Sequence, residues 1–438
     1  MRRCFVILFA CFLLIFPAVS QDTKVSFDAQ EAWDYIKVLA SDSMLGRKSG
    51  HPGGVRGEEY IASMFKKWEL EPAGDNGQYF QNFTIEHYHV GEGIALEVIS
   101  EKERRSFYYR DDWRVQKISG SGRFTEDIVF VGYGIHAPEK EYDDYEGVDV
   151  KGKLVFFRVG VPSKLKNTLQ DEAKMESRIK AAKELGARGA LLLRPPSDQS
   201  RFYRTRLDKE VYDPDFVILS GEGRVADFIF KDLDKDLSPL YQEIDRTSKP
   251  LSFNTGVRAF VSVNAFFDPK RKTRNVLAKI TGSDDTLKNE YIVIGAHMDH
   301  LGVGPLGEIY NGANDNASGT AVVMEVARVM KLNGAVPQRT VVFALWAAEE
   351  QGLLGSRYYV DNSPFPINKT IANINLDMVG HGSGKISFNG VYYGPQIWNV
   401  LKEKLPKEIL GFTTPGRGGP GGSDHTPFLE KGIPAFFL

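Results

Sequence analysis

The chain has 438 residues, of which 42% are hydrophobic and 26% are charged, and its formal net charge is −2. This length and composition suffice for two or three globular domains with hydrophobic cores, and they exclude a disordered or fibrous chain. The mildly acidic balance gives no basic patch, so we expect no nucleic acid partner.

Residues 1–20 predict a secretory signal peptide. Two arginines precede an uncharged stretch, residues 4–19, which ends in small residues. The stretch is too short for a membrane span, so we expect a secreted, periplasmic or cell-surface protein without stable membrane association. An uncleaved N-terminal anchor is the alternative. Cys4 and Cys11, the two cysteines of the chain, lie in this segment. The mature protein is therefore predicted to have neither disulfides nor thiolate ligands.

The segment 21–121 is predicted as the N-terminal part of a larger domain. Apolar residues recur at helical spacing across residues 29–70, and a glycine- and proline-rich stretch at 46–57 interrupts them. We interpret this pattern as a helix, an exposed loop and a second helix. Short alternating segments within 79–118 then predict strands.

The next segment, 122–262, is predicted as a self-contained, β-rich unit. Apolar runs at 127–135 and 152–160 indicate strands, and apolar residues at helical spacing predict a helix over 172–185 before a further strand. The Lys/Arg-rich run 268–274 then predicts an exposed linker into a third region.

From residue 275 onward, strands alternate with helices. This order predicts an α/β fold, with a mixed, mainly parallel sheet covered by helices on both faces. Three apolar runs, YIVIGA, TVVFALWA and IANINL, indicate buried strands, and acidic residues or a histidine follow each of them. Because ligands bind at the carboxyl ends of such strands, these side chains are predicted to meet in one crevice. Imidazole and carboxylate donors suit Zn²⁺.

Several of these residues also have an interpretation that involves no metal. His297 and Asp299 are two residues apart, so the Asp299 carboxylate is placed to hold the imidazole, although a surface His/Asp pair would look the same. Asp315 precedes a helix, where it could bridge two metal ions or serve only as a helix cap. Asp377 is a lone carboxylate after an apolar run.

Glu349 and Glu350 are adjacent acids that follow a run predicted to be buried. Neighbouring side chains on an extended segment diverge, so one could bind metal while the other faces the metal's water as a general base. The ordinary alternative is a pair of charges on a solvated surface.

The motifs GAHMDHLG, IYNGANDNASGTA, WAAEEQGLLGS and INLDMVGH resemble those of the M28 family of zinc metallopeptidases. The resemblance covers nearly all of the mature chain. Residues 122–262 resemble a protease-associated domain inserted in the peptidase, whose catalytic core would then be 275–438. The resemblance implies an exported aminopeptidase that acts on peptide substrates by two-metal hydrolysis, with two zinc ions per complete site.

The resemblance also implies a role for each site residue. His297 and Asp377 would bind one zinc, Asp315 would bridge both, and Glu350 would bind the second. Glu349 would be the general base, and the Asp315–Asn316 peptide bond is expected to be cis. Asn314 stands where the family commonly has aspartate, at a position that is not a ligand.

The second zinc of the family normally has a further histidine ligand, in a loop after the strand GIPAFF. This chain stops inside that strand, so we expect a C-terminally truncated fragment that lacks this ligand. His425 is a candidate substitute, but with Asp424 it is expected on the substrate side of the pocket.

Two further functions are compatible with these motifs. A glutamate-carboxypeptidase-like enzyme of the same fold would need an arginine cluster to hold the substrate carboxylate, and the late glycine-rich loop offers only Arg417. A non-catalytic binding protein on this scaffold would have lost its metal ligands, whereas this chain retains its own.

Overall fold

The structure is a computed structural model that describes residues 25–193, 209–233 and 235–438, so the predicted signal peptide lies outside the described residues. The chain divides into two compact units. Unit 1 takes the described residues up to Ile85 together with Lys270–Val303 and Glu308–Leu438, and unit 2 takes Glu86–Pro269 and Gly304–Gly307. Among the described residues, none of the helices has both the length and the apolar character needed to cross a bilayer.

The helices follow the apolar patterns of the sequence. Those of the described residues are α1 (Ala29–Leu39), α2 (Pro52–Lys67), α3 (Met175–Glu184), α4 (Gly223–Phe230), α5 (Leu237–Thr247), α6 (Gly319–Leu332), α7 (Leu354–Asp361), α8 (Pro395–Lys404), α9 (Lys407–Leu410) and α10 (Thr426–Glu430).

The strands of the described residues form two large sheets and two short hairpins. They are β1 (Glu71–Pro72), β2 (Phe80–Val90), β3 (Ala95–Ile99), β4 (Arg104–Ser106), β5 (Trp113–Val115), β6 (Gly122–Val131), β7 (His136–Ala137), β8 (Tyr142–Asp143), β9 (Leu154–Arg158), β10 (Gly189–Leu193), β11 (Val217–Gly221), β12 (Ser252–Val263), β13 (Ala265–Ile280), β14 (Tyr291–His297), β15 (Gly302–Val303), β16 (Ile309–Tyr310), β17 (Thr340–Trp346), β18 (Thr370–Asn375), β19 (Ile386–Asn389), β20 (Thr413–Gly416) and β21 (Ala435–Phe437).

The nine-stranded sheet has the order β1-β13-β17-β14-β18-β21-β19-β20, with β2 paired to β13. Its centre is parallel: β14 runs parallel to both β17 and β18, and β21 runs parallel to β18. Alternate residues of β17 enter two separate hydrophobic cores, with Val341 and Phe343 in one and Val342 and Ala344 in the other. Helices α1, α2 and α6 supply the first core, and α7 and α10 supply the second. The predicted α/β class with helices on both faces is therefore confirmed.

The eight-stranded sheet has the order β4-β3-β12-β6-β9-β10-β11-β5. Strands β6, β9, β10 and β11 run parallel to one another, β12 and β5 flank them antiparallel, and α3 provides the crossover from β9 to β10. This helix lies within the region predicted to be helical. Strands β3, β4 and β5 bond into this sheet, so they lie in unit 2, although the sequence pattern grouped residues 21–121 with the peptidase.

Two local predictions were wrong. The stretch 46–57 was expected to be a loop, but α2 begins within it at Pro52, because proline suits the first turn of a helix, where its missing N–H leaves no bond unmade. The run 268–274 was expected to be a linker, but it lies inside the 16-residue strand β13. Of its charged residues, Lys270 and Lys272 are exposed, whereas Asp268, Arg271 and Arg274 are half-buried.

Candidate metal centre

The candidate site lies at the carboxyl edge of the central sheet, where three parallel strands end. His297 is the last residue of β14, Glu349 and Glu350 follow β17, and Asp377 follows β18. Because these strands are parallel neighbours, their following residues emerge at the same edge. The crevice predicted from the sequence is therefore present, and all its residues belong to unit 1.

One group of metal donors is formed by His297, Asp315 and Asp377, whose donor atoms lie within 4.8 Å of one another. His297 Nε2 is 3.3 Å from Asp315 Oδ1 and 3.2 Å from Asp377 Oδ1. Burial alone lowers the pKa of His297, but the bonds to these two carboxylates outweigh burial and the pKa lies well above its ordinary value. The imidazole nitrogen therefore faces two negative oxygens, as it would around a cation.

A second group is formed by His300, Asp315 and Glu350. His300 Nδ1 lies 2.6 Å from Glu350 Oε1 and 3.9 Å from Asp315 Oδ2. The sequence reasoning missed His300, although it stands in the same AHMDH run as His297. A second histidine so close to a predicted ligand was the signal available in the sequence.

Asp315 belongs to both groups. Its Oδ1 faces His297 and its Oδ2 faces His300, so one carboxylate connects the two sets of donors. The neighbouring Asn316 is fully buried, and its amide donates to Leu376 O at 2.9 Å while its oxygen accepts from Gly319 N at 2.8 Å. Asn316 thus joins the Asp315 turn to the segment that carries Asp377. The Asp315–Asn316 peptide bond is cis.

Asn314 joins the same two segments from the other side of Asp315. Its side-chain oxygen accepts a hydrogen bond from Gly380 N at 2.9 Å, and its carbonyl accepts one from Ser318 Oγ at 2.7 Å. The asparagine at this position therefore serves the backbone of the turn.

Glu349 lies beside the donor groups without belonging to either. Burial raises the pKa of the Glu349 carboxyl to about 8; the His297 charge opposes this rise, and the carboxyls of Asp424, Asp299 and Asp377 add to it. A carboxyl with a raised pKa can exchange a proton near neutral pH, which is the requirement for a general base.

Asp299 connects His297 with Glu349. Its Oδ1 accepts a hydrogen bond from Glu349 N at 3.1 Å and lies 3.8 Å from His297 Nδ1. The nearer partner of that ring nitrogen is the Asp299 carbonyl oxygen, at 3.2 Å. The predicted contact between the Asp299 residue and the imidazole is therefore made chiefly by its backbone.

Asp424 and His425 lie in the same region but outside both donor groups. Asp424 is fully buried and accepts a hydrogen bond from Ser356 Oγ at 2.5 Å, and burial raises its pKa to about 7. His425 Nε2 bonds to Gly419 O at 3.0 Å, and its ring stacks on Phe437. Among the described residues, the second group therefore contains His300 and not His425.

The donors present fit zinc. Each group offers one imidazole nitrogen and two carboxylates, which are ligand types that Zn²⁺ accepts, and a shared carboxylate is typical of sites with two metal ions. Within the part of the chain that the structure describes, the buried Asp299 Oδ2 has no hydrogen-bond partner, and a buried oxygen of this kind normally pairs with a polar or cationic group. The negative charge gathered here matches a pair of divalent cations.

Comparison with a solved structure identifies the fold. The chain superposes on a zinc aminopeptidase from Bacillus subtilis with a TM-score of 0.58 and 22% identity, over 94% of this chain and 85% of that one. The shared fold is that of the zinc exopeptidases, with a mostly parallel central sheet and a second, β-rich sheet. Residues 275–438 match the family model described as Peptidase family M28, and this segment carries that family's sequence.

Two curated relatives match parts of the chain. Leupeptin-inactivating enzyme 1 of Streptomyces exfoliatus is 32% identical over 186 residues, which are 42% of this chain and 38% of that protein. Aminopeptidase YwaD of Bacillus subtilis strain 168 is 37% identical over 148 residues, which are 33% of this chain and 30% of that protein. The aligned region thus covers less than two fifths of the length of either relative.

Proposed function

We propose that this protein is a zinc-dependent aminopeptidase that removes N-terminal residues from peptides by two-metal hydrolysis. The observation that carries the proposal is the pair of donor groups joined through Asp315, with Glu349 beside them. The family match of residues 275–438 and the name of the aligned relative aminopeptidase YwaD support it.

In this proposal the chain divides the work among its residues. His297, Asp315 and Asp377 would hold one zinc, and His300, Asp315 and Glu350 the other. When bound, the zinc ions would supply Lewis-acid polarisation of the peptide carbonyl and would lower the pKa of a water molecule. Glu349 would take the proton of that water and return it to the leaving amine, while Asp299 holds the Glu349 backbone in position.

The proposal favours an aminopeptidase over a carboxypeptidase of the same fold. Recognition of a C-terminal carboxylate is best served by arginine forks, and the loop that reaches Asp424 contains only Arg417. The name of one relative aligned above, aminopeptidase YwaD, points in the same direction.

The proposal also covers unit 2 and the N-terminal segment. Unit 2, with its β-rich sheet and the crossover helix α3, is proposed to contain the inserted protease-associated domain. The N-terminal sequence supports export to a secreted, periplasmic or cell-surface location.

The test is hydrolysis of leucine p-nitroanilide by the purified chain. We expect activity that a chelator abolishes and zinc restores. Glu349→Gln is expected to lower kcat by about 10²- to 10⁴-fold, because it removes the proton acceptor, with zinc content unchanged. Glu403→Gln, on the exposed face of α8, is the matched control and should keep full activity. Activity that survives chelation, or that survives Glu349→Gln, would contradict the proposal.

A further inference from the structure

Arg47 is a buried arginine in unit 1, and it lies far in sequence from every proposed metal ligand. Its side chain is 1% exposed. A buried guanidinium is costly unless its N–H groups are satisfied, so the identity of its partners is informative.

The partners of Arg47 are backbone carbonyls of the segments that carry the metal donors. Its Nε donates to Met298 O at 2.9 Å, and Met298 is the residue directly after His297. Its Nη1 donates to Asn311 O at 2.7 Å and its Nη2 to Gly312 O at 2.8 Å, a few residues before Asp315. One planar fork therefore joins the backbone beside His297 to the backbone before Asp315.

The same guanidinium reaches the end of helix α1. Its Nη1 also donates to Leu39 O, whose residue is the last of that helix. The fork is thereby anchored on a regular element as well as on the two site segments. A lysine ammonium cannot reproduce this planar arrangement of donors.

The backbone of residues 45–47, which carries Arg47, has an unusual conformation. Leu45, Gly46 and Arg47 have φ angles of 46°, 64° and 48°, three consecutive residues in the left-handed region. This region is rare for residues with a side chain. A Cβ atom at Gly46 would lie 2.5 Å from the carbonyl oxygens of Gly302 and Tyr310, so this position admits only glycine. Strained segments of this kind persist where the surrounding structure requires them.

The charge of Arg47 also acts on the site. Burial lowers the pKa of Arg47 to about 10, and the attraction of Asp299 and Asp315 opposes this fall. The guanidinium therefore stays charged at neutral pH. It supplies a fixed positive charge beside carboxylates that would otherwise repel one another.

We propose that Arg47 is a positioning residue of the metal centre, which sets the separation of the His297 and Asp315 segments before metal binds. This inference rests on the proposed function, because it assumes that these segments bind zinc. The alternative is a brace that stabilises the fold without affecting the affinity of the site.

The experiment compares Arg47→Lys and Arg47→Met with the wild-type chain. Zinc affinity is measured by competition with a chelating dye, well below the unfolding temperature, and the visible spectrum of the cobalt-substituted protein reports ligand geometry. Loss of groups that orient metal ligands typically weakens metal binding by about 10- to 100-fold, and we expect this loss in both variants. We also expect a changed cobalt spectrum and a lower kcat with little change in KM.

Arg178 offers a matched control. It is also 1% exposed, and it donates to the carbonyls of Ala173, Tyr133 and Gly160, all in unit 2. Arg178→Lys should lower thermal stability and leave the zinc affinity and the cobalt spectrum unchanged.

The outcomes separate the inference from the proposed function. A wild-type chain that binds no zinc would overturn both. A wild-type chain that binds two zinc ions, with Arg47→Lys binding them equally tightly, would overturn the inference alone. Equal losses of zinc affinity in Arg47→Lys and Arg178→Lys would also overturn it, because the effect would then be one of general stability. If Arg47→Met does not fold, Arg47→Lys decides.

Discussion

Asp315 links the two donor groups at the scale of single residues. Its two carboxylate oxygens face different histidines, His297 and His300, and Asn316 fixes the turn in which it lies. A carboxylate that offers one oxygen to each of two cations couples their binding, because either metal orients the ligand for the other. In the proposed centre His300 would bind the second zinc as His297 would bind the first.

We predict that His300→Asn lowers the zinc content from two ions to one per chain. The variant removes the imidazole of the second group while the His297 group keeps its donors. The measurement is the zinc content of the dialysed protein by elemental analysis. His425→Asn is the control and should retain two ions, because His425 bonds to Gly419 O outside both groups. One zinc ion in His425→Asn and two in His300→Asn would reverse the assignment.

The sequence predicted most of these residues for a physical reason. A carboxylate or histidine directly after a buried apolar run must emerge at the sheet edge, which places His297, Glu349, Glu350 and Asp377 without knowledge of the fold. His300 was not predicted as a metal ligand, because the alternating side-chain directions of an extended strand do not continue beyond His297, where β14 ends. Where the chain turns, the direction of a side chain depends on contacts that the local sequence does not show.

At the scale of elements, Asn275 connects three segments around the site. It lies in β13 and is fully buried. Its amide donates to Gln81 Oε1 at 3.0 Å and to Gly355 O at 2.9 Å, and its oxygen accepts from Ala347 N at 3.0 Å. The segment between Ala347 and Gly355 carries both glutamates, so this side chain holds it against the sheet.

Asn275→Ala is expected to lower the free energy of unfolding by about 2–4 kcal/mol, because it leaves several buried polar groups without partners. We also expect reduced activity in the folded protein. Urea unfolding at constant zinc concentration measures the first effect. Asn399→Ala, on the exposed face of α8, is the control and should change stability little. Equal stability of the two variants would show that the Asn275 network contributes nothing.

Elements were predictable where the local pattern is strong. Helix α6 was expected after Asp315, and its apolar residues Val322, Val326 and Met330 are all buried. The start of α2 was not predicted, although Pro52 is a local signal for it. The length of β13 was not predicted, because it depends on partners distant in sequence. Residues 276–280 of β13 pair with β17, some 65 residues later, and β13 also pairs with β2.

At the scale of the whole molecule, the two units have separate cores. The cores around β14 and β17 belong to unit 1, and those around β6 and β10 belong to unit 2. Residues 86–121 join unit 2 because β3 pairs with β12, more than 150 residues later in the chain. No local sequence pattern predicts a pairing between strands so far apart in the chain. The protease-associated domain predicted for residues 122–262 stays a prediction, and its range covers only part of unit 2.

Because the proposed ligands all lie in unit 1, zinc should stabilise this unit selectively. A ligand present at about 100 times its Kd stabilises the unit that binds it by about 2.7 kcal/mol. We expect zinc to slow amide hydrogen exchange across Lys270–Val303 and Glu308–Leu438, with little change within Glu86–Pro269. Hydrogen exchange with and without a chelator measures this. Equal protection of both units would contradict a metal centre confined to unit 1.

The central claim, a two-zinc centre bridged by Asp315, is tested most directly by anomalous diffraction from crystals of the zinc-loaded protein. The account predicts two anomalous peaks at the zinc edge, about 3.5–4 Å apart, one beside His297 and Asp377 and the other beside His300 and Glu350. A single peak, or zinc bound away from Asp315, would contradict it.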